Sequence, residues 1–145
     1  MTRQRGERGT ALIEAAVTIP ILLLIAIGIF EFGRAYQTWQ ILTNAAREGA
    51  RIAVLPNPAA GAVEARVRSY MQDGQLPKYA QAAVAVDRAA TITVNGGAVS
   101  ASRVTIDYPF DFVVLQPVAR LVNRGSNTGR PVTMRATALM RNEAQ

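Results

Sequence analysis

The pattern of apolar and polar positions begins with a long uncharged stretch near the start of this chain of 145 residues. No side chain from Ala15 to Phe30 is charged. As a helix, Thr10–Phe30 would rise about 1.5 Å per residue and span roughly 31 Å, whereas the hydrocarbon core of a bilayer is about 30 Å thick. The pattern therefore predicts a transmembrane helix over residues 10–30. Pro20 is expected to bend or loosen it, because proline removes a backbone donor.

Beyond the span, apolar residues recur every three or four positions, the period of an amphipathic helix. These positions are Phe32, Tyr36, Trp39, Leu42, Ala46, Ala50 and Ala53. The helix is predicted to continue to about residue 54 and to stop before Pro56. A second helix is predicted with Asn57 as its N-cap, Pro58 at its first position and Gly74 as its stop, packed against the first helix.

After Pro77 the apolar period changes to two, which is typical of strands. The alternating sets are Val84/Val86, Ile92/Val94, Val104/Ile106/Tyr108 and Val132/Met134/Ala136/Ala138/Met140. A turn is predicted at residues 95–97, a loop leading into a short helix within residues 112–122, and another loop over residues 124–129. The fold class is therefore α+β, with two principal helices and a small antiparallel sheet of three to four strands.

Charge sets the expected topology of the chain. Arg3, Arg5 and Arg8 precede the span, so the positive-inside rule puts the N-terminus in the cytoplasm and residues 31–145 outside as a head. Tyr36 and Trp39 fit either an interfacial belt or the first contacts of the head. The formal charge is +6, but the arginines are scattered without interleaved aromatic residues, so a nucleic acid is not an expected partner.

The composition excludes several kinds of catalytic site. The chain has no cysteine and no histidine, so disulfides and the usual Ser-His-Asp, Cys-His and zinc-hydrolase sites are excluded. Asp107 and Asp111 remain as a possible acid/base or calcium pair, with solvated strand-end carboxylates as the preferred interpretation. No enzyme activity, cofactor, metal or small-molecule substrate is expected.

One carboxylate lies inside the predicted span, where a charged side chain costs roughly 2.5 to 3.5 kcal/mol on insertion scales. This is Glu14, which needs a cation. A peptidase cutting after Gly9 would free the amine of Thr10, one helical turn from Glu14. Two alternatives remain open: an uncleaved anchor with Glu14 at the cytoplasmic headgroups, and a signal peptide cut near residues 26–28.

The basic leader ending in Gly9, the small residue after it, Glu14 and the apolar helix together resemble the processing site of type IV pilins and pseudopilins. Two further segments resemble those of TadE-like minor pseudopilins of Tad (Flp) pilus systems. They are Glu31-Phe32-Gly33-Arg34 and Thr43-Asn44-Ala45-Ala46-Arg47-Glu48-Gly49-Ala50-Arg51. The resemblance is strongest over residues 8–51 and looser at Tyr108-Pro109-Phe110 and over residues 135–143. Thr10 departs from the commoner Ala or Ser at the first mature position.

The resemblance implies a protein of the bacterial cytoplasmic membrane. Residues 1–9 would be a cytoplasmic leader removed by a prepilin peptidase, and the span would pack among other pilins or pseudopilins on the Tad assembly platform, with possible export into extracellular pili. Glu14 would help to dock the helix beside a neighbouring subunit. The pairs Glu31/Arg34 and Glu48/Arg51 are interpreted as a solvated helix face. An uncleaved anchored assembly or adaptor protein and a secreted binding module are the alternatives.

Overall fold

The computed structural model describes residues 3–94, 96–125 and 127–142, with side chains described from Gly9 onward. The class is α+β, as predicted. The helices are α1 (Arg3–Ala53), α2 (Ala62–Asp73) and α3 (Leu115–Val122), and the strands are β1 (Ala83–Val94), β2 (Gly97–Phe110) and β3 (Val132–Arg141), with one 3-10 turn at Tyr79–Gln81.

The chain forms two compact units. The anchor unit contains the chain up to Arg34 together with Phe112–Gly129. The head unit contains Ala35–Asp111 and the chain from Arg130 onward. Helix α1 thus contributes its first part to the anchor unit and its last part to the head unit.

The head unit contains an antiparallel sheet in the order β1-β2-β3. Val104 of β2 pairs with Val86 of β1 and with Ala138 of β3. A register shift between Asp87 and Ala90 lets two of the predicted strands run on as the single strand β1, so the sheet has three strands. Gly96, at φ 82°, lies in the predicted turn between β1 and β2. Asn95 of the predicted turn and Glu143, the last residue of the segment 135–143, lie outside the described residues.

The core of the head unit lies between the sheet, α2 and the last part of α1. Its fully buried apolar side chains include Leu42, Ala45, Ala46, Ala50, Val67, Met71, Val104 and Ile106, all 0% exposed. A Cβ placed on Gly49 would lie 2.5 Å from Val67 Cγ2 and 3.3 Å from Val104 Cγ1. Helix α2 therefore packs directly on α1, as predicted.

The start of α2 differs from the prediction. The helix begins at Ala62 after an N-cap at Gly61, so the predicted N-cap at Asn57 is wrong. Asn57 lies well before the helix, and the first helical bond runs from the Ala65 N–H to the Gly61 carbonyl at 2.9 Å. The predicted stop at Gly74 is confirmed, and its N–H donates to the Tyr70 carbonyl at 3.0 Å.

Helix α1 ends at Ala53, close to the predicted residue 54. Two side chains from the sheet bond to carbonyls at its end and just after it. Arg88 Nε donates to Ala53 O at 3.2 Å and Arg88 Nη2 to Leu55 O at 3.0 Å, while Ser102 Oγ donates to Ala53 O at 3.3 Å. These bonds satisfy acceptors that a helix end leaves without intrahelical partners.

Two prolines lie inside helices of the anchor unit. Pro20 is within α1, which continues on both sides of it, and the bend expected there stays a prediction. Pro117, within the segment predicted as a loop leading into a short helix, is the third residue of α3. Proline is tolerated in the first turn because N–H groups there have no intrahelical acceptor.

Candidate functional site

The first feature of interest is the exposed apolar surface of residues 10–30. The following large side chains are each more than half exposed: Leu12, Ile13, Val17, Ile19, Ile21, Leu22, Leu23, Leu24, Ile25, Ile29 and Phe30. Such a long apolar surface is not stable in water, since each fully buried aliphatic side chain stabilises by roughly 1.5 to 3 kcal/mol. Among the described residues, α1 is the one helix long and apolar enough to cross a membrane.

The predicted processing and docking residues all lie within α1. A Cβ added to Gly9 would meet nothing within 4 Å. Glu14 is exposed, and the helix brings Thr10 and Glu14 onto one face because they are four residues apart. The geometry of the intact chain is thus compatible with the predicted amine–carboxylate pair, which stays a prediction.

Glu31 begins the segment Glu31-Phe32-Gly33-Arg34, and its side chain is fully buried, with 0% exposure. Its Oε2 accepts from Arg34 Nη1 at 2.9 Å. Its Oε1 accepts from the backbone N–H of Val114 and, at 3.2 Å, from that of Leu115. Both N–H groups stand at the start of α3, where a helix leaves donors unsatisfied and favours a negative charge.

The interactions of Glu31 determine its protonation. Burial by itself raises the pKa of the carboxyl, but the N–H groups of Val114 and Leu115 and the charge of Arg34 outweigh burial and hold the pKa below its ordinary value. Glu31 is therefore a buried carboxylate that joins the end of the apolar span to α3. The predicted solvated face is wrong for Glu31, because its partners come from a segment that the local pattern does not reveal.

The other residues of this motif remain accessible. Phe32 is 69% exposed, and a Cβ added to Gly33 would meet nothing within 4 Å. The guanidinium carbon of Arg34 lies 5.9 Å from the centroid of the Phe30 ring, within the range of a cation–π contact. Phe32 and Gly33 are thus available for contacts with lipid or another chain.

The TadE-like segment over residues 43–51 forms the part of α1 that enters the core of the head unit. Ala45, Ala46, Gly49 and Ala50 are buried, and their small size allows α2 and β2 to approach the helix backbone. Arg47 is exposed and Asn44 is partly exposed. Glu48 bonds to Arg51 and Arg66, each at 3.4 Å. For Glu48 and Arg51 the prediction of a charged surface pair is confirmed.

The two candidate acidic residues of the sheet do not form a joint site. Asp107 accepts from Arg135 Nε at 2.6 Å and from Nη2 at 2.8 Å, and these bonds lower the pKa of Asp107. Asp111 instead forms an ion pair with Lys78. Each carboxylate is thus paired with a cation of its own, and the acid/base or calcium pair is not formed.

These features define a class: an α+β protein whose single apolar N-terminal helix is compatible with a single-pass membrane anchor. The family model for TadE-like protein matches residues 9–51, which include the span and both motifs beyond it. This segment is therefore TadE-like, as its motifs indicate. The family is associated with Tad pili and is structural rather than enzymatic. No curated protein and no solved structure matches the chain.

Proposed function

We propose that this chain is a minor pseudopilin of a Tad (Flp) pilus and that residues 10–30 assemble it. The observation that carries the proposal is the combination of a TadE-like match over residues 9–51 with a long row of exposed apolar side chains within it. The small residues further along α1 are buried in the head unit. The exposed apolar surface of α1 therefore comprises the apolar segment and the turns after it that carry Phe32, Tyr36 and Trp39.

Assembly begins with processing of the precursor. A prepilin peptidase removes residues 1–9, and the new amine of Thr10 neutralises Glu14 in its own chain or in a neighbour. Both charged groups are costly in lipid when alone and much less so when paired. The helix then packs with other pilins or pseudopilins on the Tad assembly platform, while the head specifies the contacts outside.

The test of processing is the intact mass of the protein purified from a host that carries the peptidase. Loss of residues 1–9 is expected. Gly9→Val should abolish the loss, whereas Gly6→Val in the same leader should leave it unchanged. A full-length species alone would identify an uncleaved anchored adaptor, and a start near Ile29 would identify a secreted module.

The test of docking uses Glu14→Gln, which preserves shape and removes charge. The processed protein should accumulate in membranes while piliation falls. Glu48→Gln removes an exposed carboxylate of the same helix and should leave piliation unchanged. Normal piliation with Glu14→Gln would refute the charge-pair account.

A further inference from the structure

Helix α3 leaves large apolar side chains uncovered. Leu121 and Val122 are each 87% exposed, and Val113, just before the helix, is 58% exposed. Between Val113 and Val122, Gln116 and Arg120 are the two polar residues. Exposure of this kind in a short segment marks a surface that meets something other than water.

The position of α3 is set by Glu31. Its carboxylate bonds to the N–H groups of Val114 and Leu115, so α3 starts beside the residue that follows Phe30, the last residue of the span. On the face of α1 that carries Glu31, Ile27 and Gly28 are partly covered, whereas Ile29 is 71% exposed. The start of α3 is therefore level with the end of the apolar span.

The two sides of α3 differ in chemistry. Successive residues of a helix are about 100° apart, and residues four apart lie on one side. Gln116 and Arg120 form a polar side, whereas Pro117 and Leu121 form an adjacent apolar side. Arg124 follows shortly after the helix and is exposed. An amphipathic helix with basic residues on its polar side is the type that lies in a membrane interface.

We propose that α3 lies in the outer headgroup layer of the membrane, with Leu121 and Val122 inserted toward the acyl chains and Arg120 and Arg124 facing lipid phosphates. This inference rests on the membrane-spanning orientation of the proposed function. The occupant of the exposed face is lipid, because α3 begins beside the residue that follows the apolar span and because the nearby arginines complement anionic headgroups. Glu31 fixes the depth at which α3 lies.

This location also gives a reason for the bonding of Glu31. A carboxylate at the edge of the hydrocarbon layer has little water to solvate it, and an unpaired charge there is costly. The N–H groups of α3 and the guanidinium of Arg34 replace that water. The same bonds hold the start of α3 at the boundary between the hydrocarbon layer and the headgroup layer.

The absence of cysteine allows a direct test, because a single introduced cysteine is the only site for a thiol-reactive nitroxide. The full chain is reconstituted in vesicles of phosphatidylethanolamine and phosphatidylglycerol. Accessibility to oxygen, which enters lipid, is compared with accessibility to a nickel chelate, which stays in water. The probe sites are Leu121→Cys and its neighbour Arg120→Cys, with Leu22→Cys as the span control and Thr137→Cys as the head control.

The expected result is a severalfold higher oxygen-to-nickel ratio at Leu121→Cys than at Arg120→Cys, with Leu22→Cys in lipid and Thr137→Cys in water. Water accessibility at both α3 sites, with Leu22→Cys in lipid, would overturn this inference and leave the proposed function intact. Spin–spin broadening at Leu121→Cys would overturn it in favour of a second copy of the chain. Water accessibility at Leu22→Cys would overturn both proposals. Circular dichroism of each variant verifies that the fold is preserved.

Discussion

The two parts of helix α1 use apolar residues in opposite ways. Over residues 10–30 most of the apolar side chains are large, and Leu12 is 71% exposed. Over residues 42–53 many are alanine or glycine, and Ala46 and Ala50 are 0% exposed. In a helix of a protein surrounded only by water, the larger apolar residues would be the buried ones.

The difference shows that one helix is suited to two surroundings. Large aliphatic residues suit contact with lipid or with neighbouring apolar helices, where no close approach of backbones is required. Small residues suit the head unit, where α2 and β2 come so near that a Cβ on Gly49 would lie 2.5 Å from Val67. The two parts of α1 can therefore be tested separately, because a substitution that disturbs the packing of one part should be tolerated in the other.

The largest effect is expected when the membrane-spanning part of α1 is removed from the rest of the chain. A fragment that starts at Tyr36 should be monomeric in water with mixed helix and strand circular dichroism, because it contains the buried core of the head unit. The full chain should require detergent. The fragment should also fail to restore pili in cells that lack the protein. A disordered spectrum, or full restoration of piliation, would contradict the separation.

The same fragment should show a local defect, because it lacks Glu31. Hydrogen exchange of residues 112–122 should become fast in the Tyr36 fragment, while exchange in β2 stays slow. A matched fragment that starts at Ile27 retains Glu31 and should restore slow exchange to Val114 and Leu115. Equal exchange in the two fragments would show that Glu31 does not hold the segment.

The second effect concerns the two motif glycines of α1. Gly49→Ala should destabilise the head by about 1 to 3 kcal/mol, since the new Cβ overpacks against the stiff side chain of Val67. Gly33→Ala has open space and should stabilise the helix by about 0.5 to 1 kcal/mol. Urea unfolding of the detergent-solubilised chain measures both. A stabilising Gly49→Ala would contradict the close packing.

The elements of the fold could be predicted from the sequence because their signals are local. Hydrophobic period identified both main helices and the strands, and Gly74 was recognised as a helix stop. The N-cap of α2 was missed because the residue types allow a start at either Asn57 or Gly61, and the helical hydrogen bonds begin only at Gly61. The register shift between Asp87 and Ala90 was missed because it depends on pairing with β2.

The residues next to Glu31 along the chain do not indicate its role. The i,i+3 spacing to Arg34 predicted a surface pair, and that pair does form. The decisive partners are two backbone N–H groups that lie 83 and 84 residues further along the chain. Any residue except proline offers such a donor, so residue types alone do not identify them.

The third effect tests Glu31 against another carboxylate of α1. Glu31→Ala leaves the N–H groups of Val114 and Leu115 without their acceptor, at a cost of about 1 to 3 kcal/mol. Trypsin should then cut after Arg120 and Arg124 more rapidly in the detergent-solubilised chain. Glu48→Ala removes only exposed pairs at 3.4 Å and should leave these cuts unchanged. Equal rates in both variants would argue against the role of Glu31.

The smallest effect is the pH dependence of the same contact. Because the pKa of Glu31 is lower in the folded chain, its stabilising contribution is complete above the ordinary pKa of an unfolded glutamate and is lost as pH falls through the lower pKa of the folded chain. A nitroxide at Leu121→Cys, in uncharged phosphatidylcholine nanodiscs, should therefore become more mobile once the pH falls below the range in which an ordinary glutamate titrates. Glu31→Gln keeps an acceptor oxygen without the titration, so mobility there should not change with pH. The pKa of Asp107 is also lowered, by Arg135, but Asp107→Asn should leave the transition at position 121 in place. A transition that survives Glu31→Gln and disappears with Asp107→Asn would assign the acid response to the sheet and not to the carboxylate that joins α1 to α3.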